Sequence, residues 1–209
     1  MVSNDYHFIT HWRVQGTVEE VTAIVGDVNA LTQWWPSVYL DVRELEAGDE
    51  EGIGKVVDLY TKGWLPYTLR WRFRVTEIEP LKRVVIVAEG DFVGRGIWTF
   101  SQEGPQVHLV YDWQIRAEKP LLAALSFLLK PIFAANHHWA MQKGEESLVL
   151  ELARRRAISD AERMRIAPPP PPTTTSPLPL YLGLSGVILL IVLLISNSGG
   201  EPTGATPKR

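Results

Sequence analysis

Few side chains in this 209-residue chain are spaced for chemistry. His137 and His138 are adjacent in a stretch with helical periodicity. Their rings point about 100° apart, so they cannot both hold one metal ion from a single helix face. His7 and His11 share one face of an alternating segment whose other face carries Phe8 and Trp12, which turns both histidines toward water. The carboxylates open to acid–base work are Glu89, Asp91, Asp112 and Glu145. Asp112 is out of phase with Tyr111 and Trp113 and therefore points away from an apolar interior. Glu145 lies one helical turn beyond Met141 and can reach the same space. A lone inward carboxylate whose pKa is raised by burial suffices as a general base for cyclisation or dehydration, and Glu145 is the one catalytic candidate. The absence of cysteine excludes a disulfide framework, thiolate metal sites and a cysteine nucleophile. No metal and no cofactor are expected.

Aromatic bulk outweighs these polar candidates. All eight tryptophans fall between Trp12 and Trp139. Tyr67, Leu69, Trp71 and Phe73 alternate along one face of a strand, with Arg70, Arg72 and Arg74 on the other, facing water. Trp98, Phe100, Leu109, Tyr111 and Trp113 repeat the pattern on later strands, and Met141 adds a side chain from the following helix. Along a concave face, side chains this large leave irregular space and Tyr and Trp polar atoms in need of partners, so these residues form the expected ligand-binding set. The same residues can equally fill a core. The formal net charge of −3 shows no basic bias, and nucleic-acid binding is disfavoured.

The elements that must position these side chains follow from period and punctuation. Tyr6 to Val14 alternates as a first strand. Thr17, three residues before Glu20, is a capping box that opens a short helix or helix pair ending at Pro36. A strand near Val38–Leu45, an acidic glycine turn and a strand from Lys55 to Thr61 form a hairpin. Further strands run over Tyr67–Ile78, Arg83–Glu89, Phe92–Ser101 and Val107–Ala117, giving six or seven antiparallel strands. After Pro120 the apolar stretch "LLAALSFLLKPIF" leads into a helix predicted from about Ile132 to Arg156, with Met141, Leu148 and Leu152 on its inner stripe. The stretch from Leu121 to Phe133 itself has three readings, a buried helix, a gate beside the interior or an apolar surface that dips into lipid, of which the gate close to a membrane is favoured.

This order, with "LTQWWPSV", "AGDEEGIGKVV", "GRGIWTF" and "NHHWAMQKGEESLVLELARR", resembles the START-like (SRPBCC) superfamily, in particular its polyketide cyclase/dehydrase-like and ubiquinone-binding branches, over roughly Asp5 to Arg156. The resemblance implies an α+β helix-grip fold in which a curved antiparallel sheet wraps a long C-terminal helix and leaves a cavity between them. None of these segments is a catalytic signature, so it supports a cavity more strongly than any chemistry.

Past the domain, expected over 1–160, a Pro/Thr-rich linker covers 161–177 and reads as a stiff, extended spacer. Leu178 to Ile195 carries no charge and is about the length of a membrane span, giving an expected transmembrane helix over 178–196 and a polar tail over 197–209. Arg154, Arg155, Arg156, Arg163 and Arg165 precede the span, against Lys208 and Arg209 after it, which predicts a cytoplasmic domain on a single-pass anchor. No basic and apolar segment opens the chain, so a cleaved leader is not expected. The reading is a membrane-anchored protein that binds or transfers a hydrophobic small molecule such as a lipid, isoprenoid quinone or polyketide, without catalysis. The alternatives are a polyketide-type cyclase, aromatase or dehydrase and a ligand-free assembly module. The sequence sets no oligomeric state.

Overall fold

The computed structural model describes residues 4–118 and 120–174, with the backbone alone for 120–129. Seven strands form one antiparallel sheet: β1 (Asp5–Gln15), β2 (Tyr39–Glu46), β3 (Val56–Lys62), β4 (Thr68–Glu79), β5 (Arg83–Gly90), β6 (Phe92–Glu103) and β7 (Gln106–Ala117). Their order is β1-β7-β6-β5-β4-β3-β2, so every neighbour pair but one is a hairpin, and β1 is joined to the last strand in sequence. Burial alternates along β4 and β7, with Trp71, Phe73, Val75, Leu109, Tyr111 and Trp113 inward and Arg70, Arg72 and Arg74 exposed. Period two is therefore what turns these aromatics to a common face.

Between β1 and β2 lie α1 (Val18–Val25), a single 3₁₀ turn over Val28–Ala30 and α2 (Leu31–Trp34). The capping box is present: Thr17 Oγ1 accepts from Glu20 N–H at 3.3 Å, and Glu20 Oε2 accepts from Thr17 N–H at 2.9 Å. The same carboxylate receives a fork from Arg156, with Nε donating to Oε1 at 2.8 Å and Nη2 to Oε2 at 2.6 Å. This bidentate pair holds the Glu20 pKa down to about 2 and ties the start of α1 to the end of the long helix.

That helix, α3, spans Pro120–Arg156 without a break. The sequence reading places its start near Ile132, after the apolar stretch, and Pro131 just before it lacks the N–H that an interior helical residue donates. In the fold the helix runs through Pro131, so the stretch Leu121–Phe133 is helical, as the first of its three readings has it. Met141, Leu148 and Leu152 are buried against the sheet as their spacing requires.

A short α4 (Asp160–Arg163) follows, capped by Ser159. The segment beyond it is extended, yet it is no free spacer. Ala167 O accepts from Arg154 Nη2 at 2.6 Å, Thr173 Oγ1 donates to Gly63 O at 3.0 Å, and Lys62 Nζ donates to Thr173 O at 2.6 Å. Pro169, Pro170 and Thr173 are half-buried. The proline-rich strap thus returns along the domain from the level of Arg154 to the turn after β3. The expected span over 178–196 and the tail lie outside the described residues. Among the described residues no helix is long and apolar enough to cross a membrane.

Candidate functional site: an apolar cavity under the helix

Between the sheet and the helices is a cavity of about 460 Å³. Its sheet side carries Tyr67, Leu69, Trp71, Phe73, Trp98, Phe100, Tyr111 and Trp113, and α3 contributes Met141. Leu109 shares their face but stays out of the wall. It is fully buried, hemmed by its cross-strand neighbours Trp12 and Phe100. Glu145 does not border the cavity either: its carboxylate accepts the Arg13 N–H at 2.9 Å and so serves the free edge of β1. The space that helical periodicity assigns to it is taken up one turn earlier, at Met141.

The rings form a continuous contact network. Trp71 meets Phe92 at 4.8 Å and Trp113 at 5.8 Å, while Trp98 stacks on Tyr111 at 4.3 Å. Such contacts add about 0.5–1.5 kcal/mol each beyond the area they bury. Polar atoms in the wall are partly satisfied from within: Trp71 Nε1 donates to Thr61 Oγ1 at 3.1 Å. Asn136 Oδ1 accepts the Leu65 N–H at 3.1 Å and packs against Gly63, where a Cβ would overlap the Asn136 side chain. Asn136 thereby fixes the β3–β4 turn at one end of the cavity.

The wall also contains residues outside the expected set. His137 stacks on Phe8 with ring centres 4.1 Å apart, and its buried Nε2 makes no hydrogen bond. Burial, and then the neighbouring His138, push its pKa down to about 4, so it is a neutral imidazole at ordinary pH. The signal for it exists in the sequence, since His137 precedes Met141 by one helical turn and shares its stripe. Tyr39 borders the cavity as well, and burial raises the pKa of its phenol, as it does for Tyr67 and Tyr111. Tyr39 follows the turn at Pro36, where no period reports which way a side chain faces. His7 and His11 lie outside: His7 Nε2 is 2.9 Å from Asp112 Oδ1, and His11 Nδ1 is 3.0 Å from His108 Nε2, both pairs exposed. Among the described residues no three His, Cys, Asp or Glu side chains cluster to hold a metal.

Sheet, closing helix and enclosed apolar space together define an α+β helix-grip domain. No family model and no curated protein matches the chain. Solved structures do. The Zhui aromatase/cyclase from Streptomyces sp. R1128 aligns with a TM-score of 0.56 at 16% identity, covering 75% of this chain and 98% of that one. A START superfamily protein from Mycobacterium smegmatis aligns with a TM-score of 0.53 at 18% identity, covering 68% and 98%. A protein from Thermus thermophilus aligns with a TM-score of 0.55 at 21% identity, covering 70% and 94%. The structural neighbours therefore include a START superfamily protein and an aromatase/cyclase, and at these identities the likeness is one of fold.

Proposed function

We propose that this protein binds a hydrophobic small molecule in the cavity between the sheet and α3, and that residues 178–196 hold it at a membrane. The cavity carries the reading: about 460 Å³ bordered by aromatic and aliphatic side chains. That is within the size range of small-molecule sites, which are concave and mostly apolar. Each buried methylene contributes about 0.8 kcal/mol, so a lipid, isoprenoid quinone or polyketide-like ligand is retained without a charged contact. The membrane part rests on the sequence, through the uncharged run from Leu178 to Ile195. A tether of this kind raises the local concentration of the domain where such ligands partition. The START superfamily neighbour supports the binding reading by fold.

One observation favours a second, catalytic reading, a cyclase or dehydrase. His137 is a neutral imidazole in the wall with an unpartnered ring nitrogen, which can hydrogen-bond a bound substrate and accept its proton as a weak base.

The test is mass spectrometry of the organic extract of the purified full-length protein, compared with Ala140→Phe, which fills the cavity from α3. One apolar compound near one equivalent, lost in the folded variant, is the expected result. An empty extract together with no uptake of a fluorescent apolar probe would sink the binding reading. Chemical conversion of a bound poly-ketone that stops in His137→Gln, with uptake intact, would favour the catalytic one.

A further inference from the structure

The outer face of the sheet brings together two imidazoles that stand 97 residues apart in the chain. His11 lies on β1 and His108 on β7, and neither borders the cavity. They meet on the diagonal of the ladder, since His11 pairs with Val110 and His108 with Arg13. The rings are nearly parallel, 17° apart with centres at 5.3 Å, and His11 Nδ1 is 3.0 Å from His108 Nε2.

His108 is held from its other side. Its Nδ1 is 3.2 Å from Glu103 Oε1, and the second oxygen of that carboxylate is 3.7 Å from Arg13 Nε. Donation of the Nδ1 proton to Glu103 fixes the tautomer and leaves the His108 Nε2 lone pair facing His11. His11 is exposed and His108 partly so, which opens the pair to solvent ions. The other histidines lack this arrangement: His7 faces the Asp112 carboxylate rather than a second ring, and Nε2 of His137 is closed off by burial.

We propose that His11 and His108 form a two-histidine site for a divalent transition ion of the Cu²⁺, Ni²⁺ and Zn²⁺ class, with water in the remaining positions. Imidazole nitrogens bind such ions at about 2.0–2.1 Å, so two of them at about 90–110° stand roughly 3 Å apart. The two nitrogens already have that spacing. Binding asks that the exposed His11 ring carry its proton on Nε2, and that both rings turn until their lone pairs meet the ion rather than each other. Glu103 supplies the carboxylate contact that orients a ligating ring and raises its basicity, and it offsets the Arg13 charge beside the ion. Among the described residues no third His, Cys, Asp or Glu joins the pair, and a nitrogen pair completed by water ranks Cu²⁺ first. An ion there bridges the first strand and the last, so it also stabilises the fold.

The experiment is titration of the untagged full-length protein with Cu²⁺, read by calorimetry and by electron paramagnetic resonance. The wild type is expected to take up one equivalent with two nitrogen ligands and to melt at a higher temperature with the ion than without it. His11→Ala and His108→Ala each abolish that equivalent and the melting shift, while cooperative melting of the metal-free variants shows that they are folded. Glu103→Gln weakens uptake about tenfold, and His7→Ala leaves it unchanged. Uptake that survives both alanine variants, a spectrum with a single nitrogen, or a wild type that takes up no ion overturns the site.

Discussion

Burial keeps the His137 imidazole neutral down to about pH 4, whereas an unfolded chain takes up that proton near pH 6.5. Between those values the unfolded state binds more protons than the folded one, so stability is full above about pH 6.5 and falls as the pH is lowered toward 4. The loss is at most about 3 kcal/mol. Urea midpoints at pH 7, 5.5 and 4.5 should show that decline in the wild type and a flatter profile in His137→Leu, while an identical decline in the variant would assign it to other groups. At this scale the sequence is legible where a period holds. Alternation reports the common face of Tyr67, Leu69, Trp71 and Phe73, because a strand inverts its side chains at every residue. It says nothing of depth, which is why Leu109, in phase with Tyr111, sits in packed core outside the cavity wall. Nor does it reach Tyr39, placed by an irregular turn, and Glu145 shows that one helical turn of separation is no guarantee of a shared environment.

The elements pack through a few close approaches. Gly144 in α3 faces Trp35, the C-cap of α2, and a Cβ at 144 would overlap the indole ring. Helix propensity alone favours alanine at this position by about 1 kcal/mol. Overpacking against a ring that is 4% exposed costs about 1–3 kcal/mol, and this is the larger effect. Gly144→Ala is therefore expected to lower the denaturation midpoint, and a raised midpoint would mean that Trp35 can give way. The strands and the capped α1 were readable to within a few residues, since hydrophobic period and turn residues agree there. The start of α3 was not. Pro131 is a stop signal in local terms, and the helix continues because its missing N–H is one bond among many in a 37-residue element.

For the molecule as a whole, composition predicts an extended proline segment but not its destination, since Thr173 meets Gly63 across 110 residues of chain. Because the chain has no cysteine, Lys62→Cys with Thr173→Cys gives one clean pair for a short bismaleimide. A docked strap should cross-link within the chain in high yield, and a yield no better than that for Glu50→Cys with Thr173→Cys would return the segment to a free spacer. The pairing of β1 with β7 spans a similar separation, joining Asp5 to Arg116 and Gln15 to Gln106. During synthesis, at about 5–20 residues per second, β1 leaves the ribosome on the order of 5–20 seconds before its partner exists. Throughout that interval a strand bearing Tyr6, Phe8 and Trp12 has nothing to pair with. The charges and imidazoles alternating with them, at His7, His11 and Arg13, then guard the nascent chain against association with its neighbours on the same message.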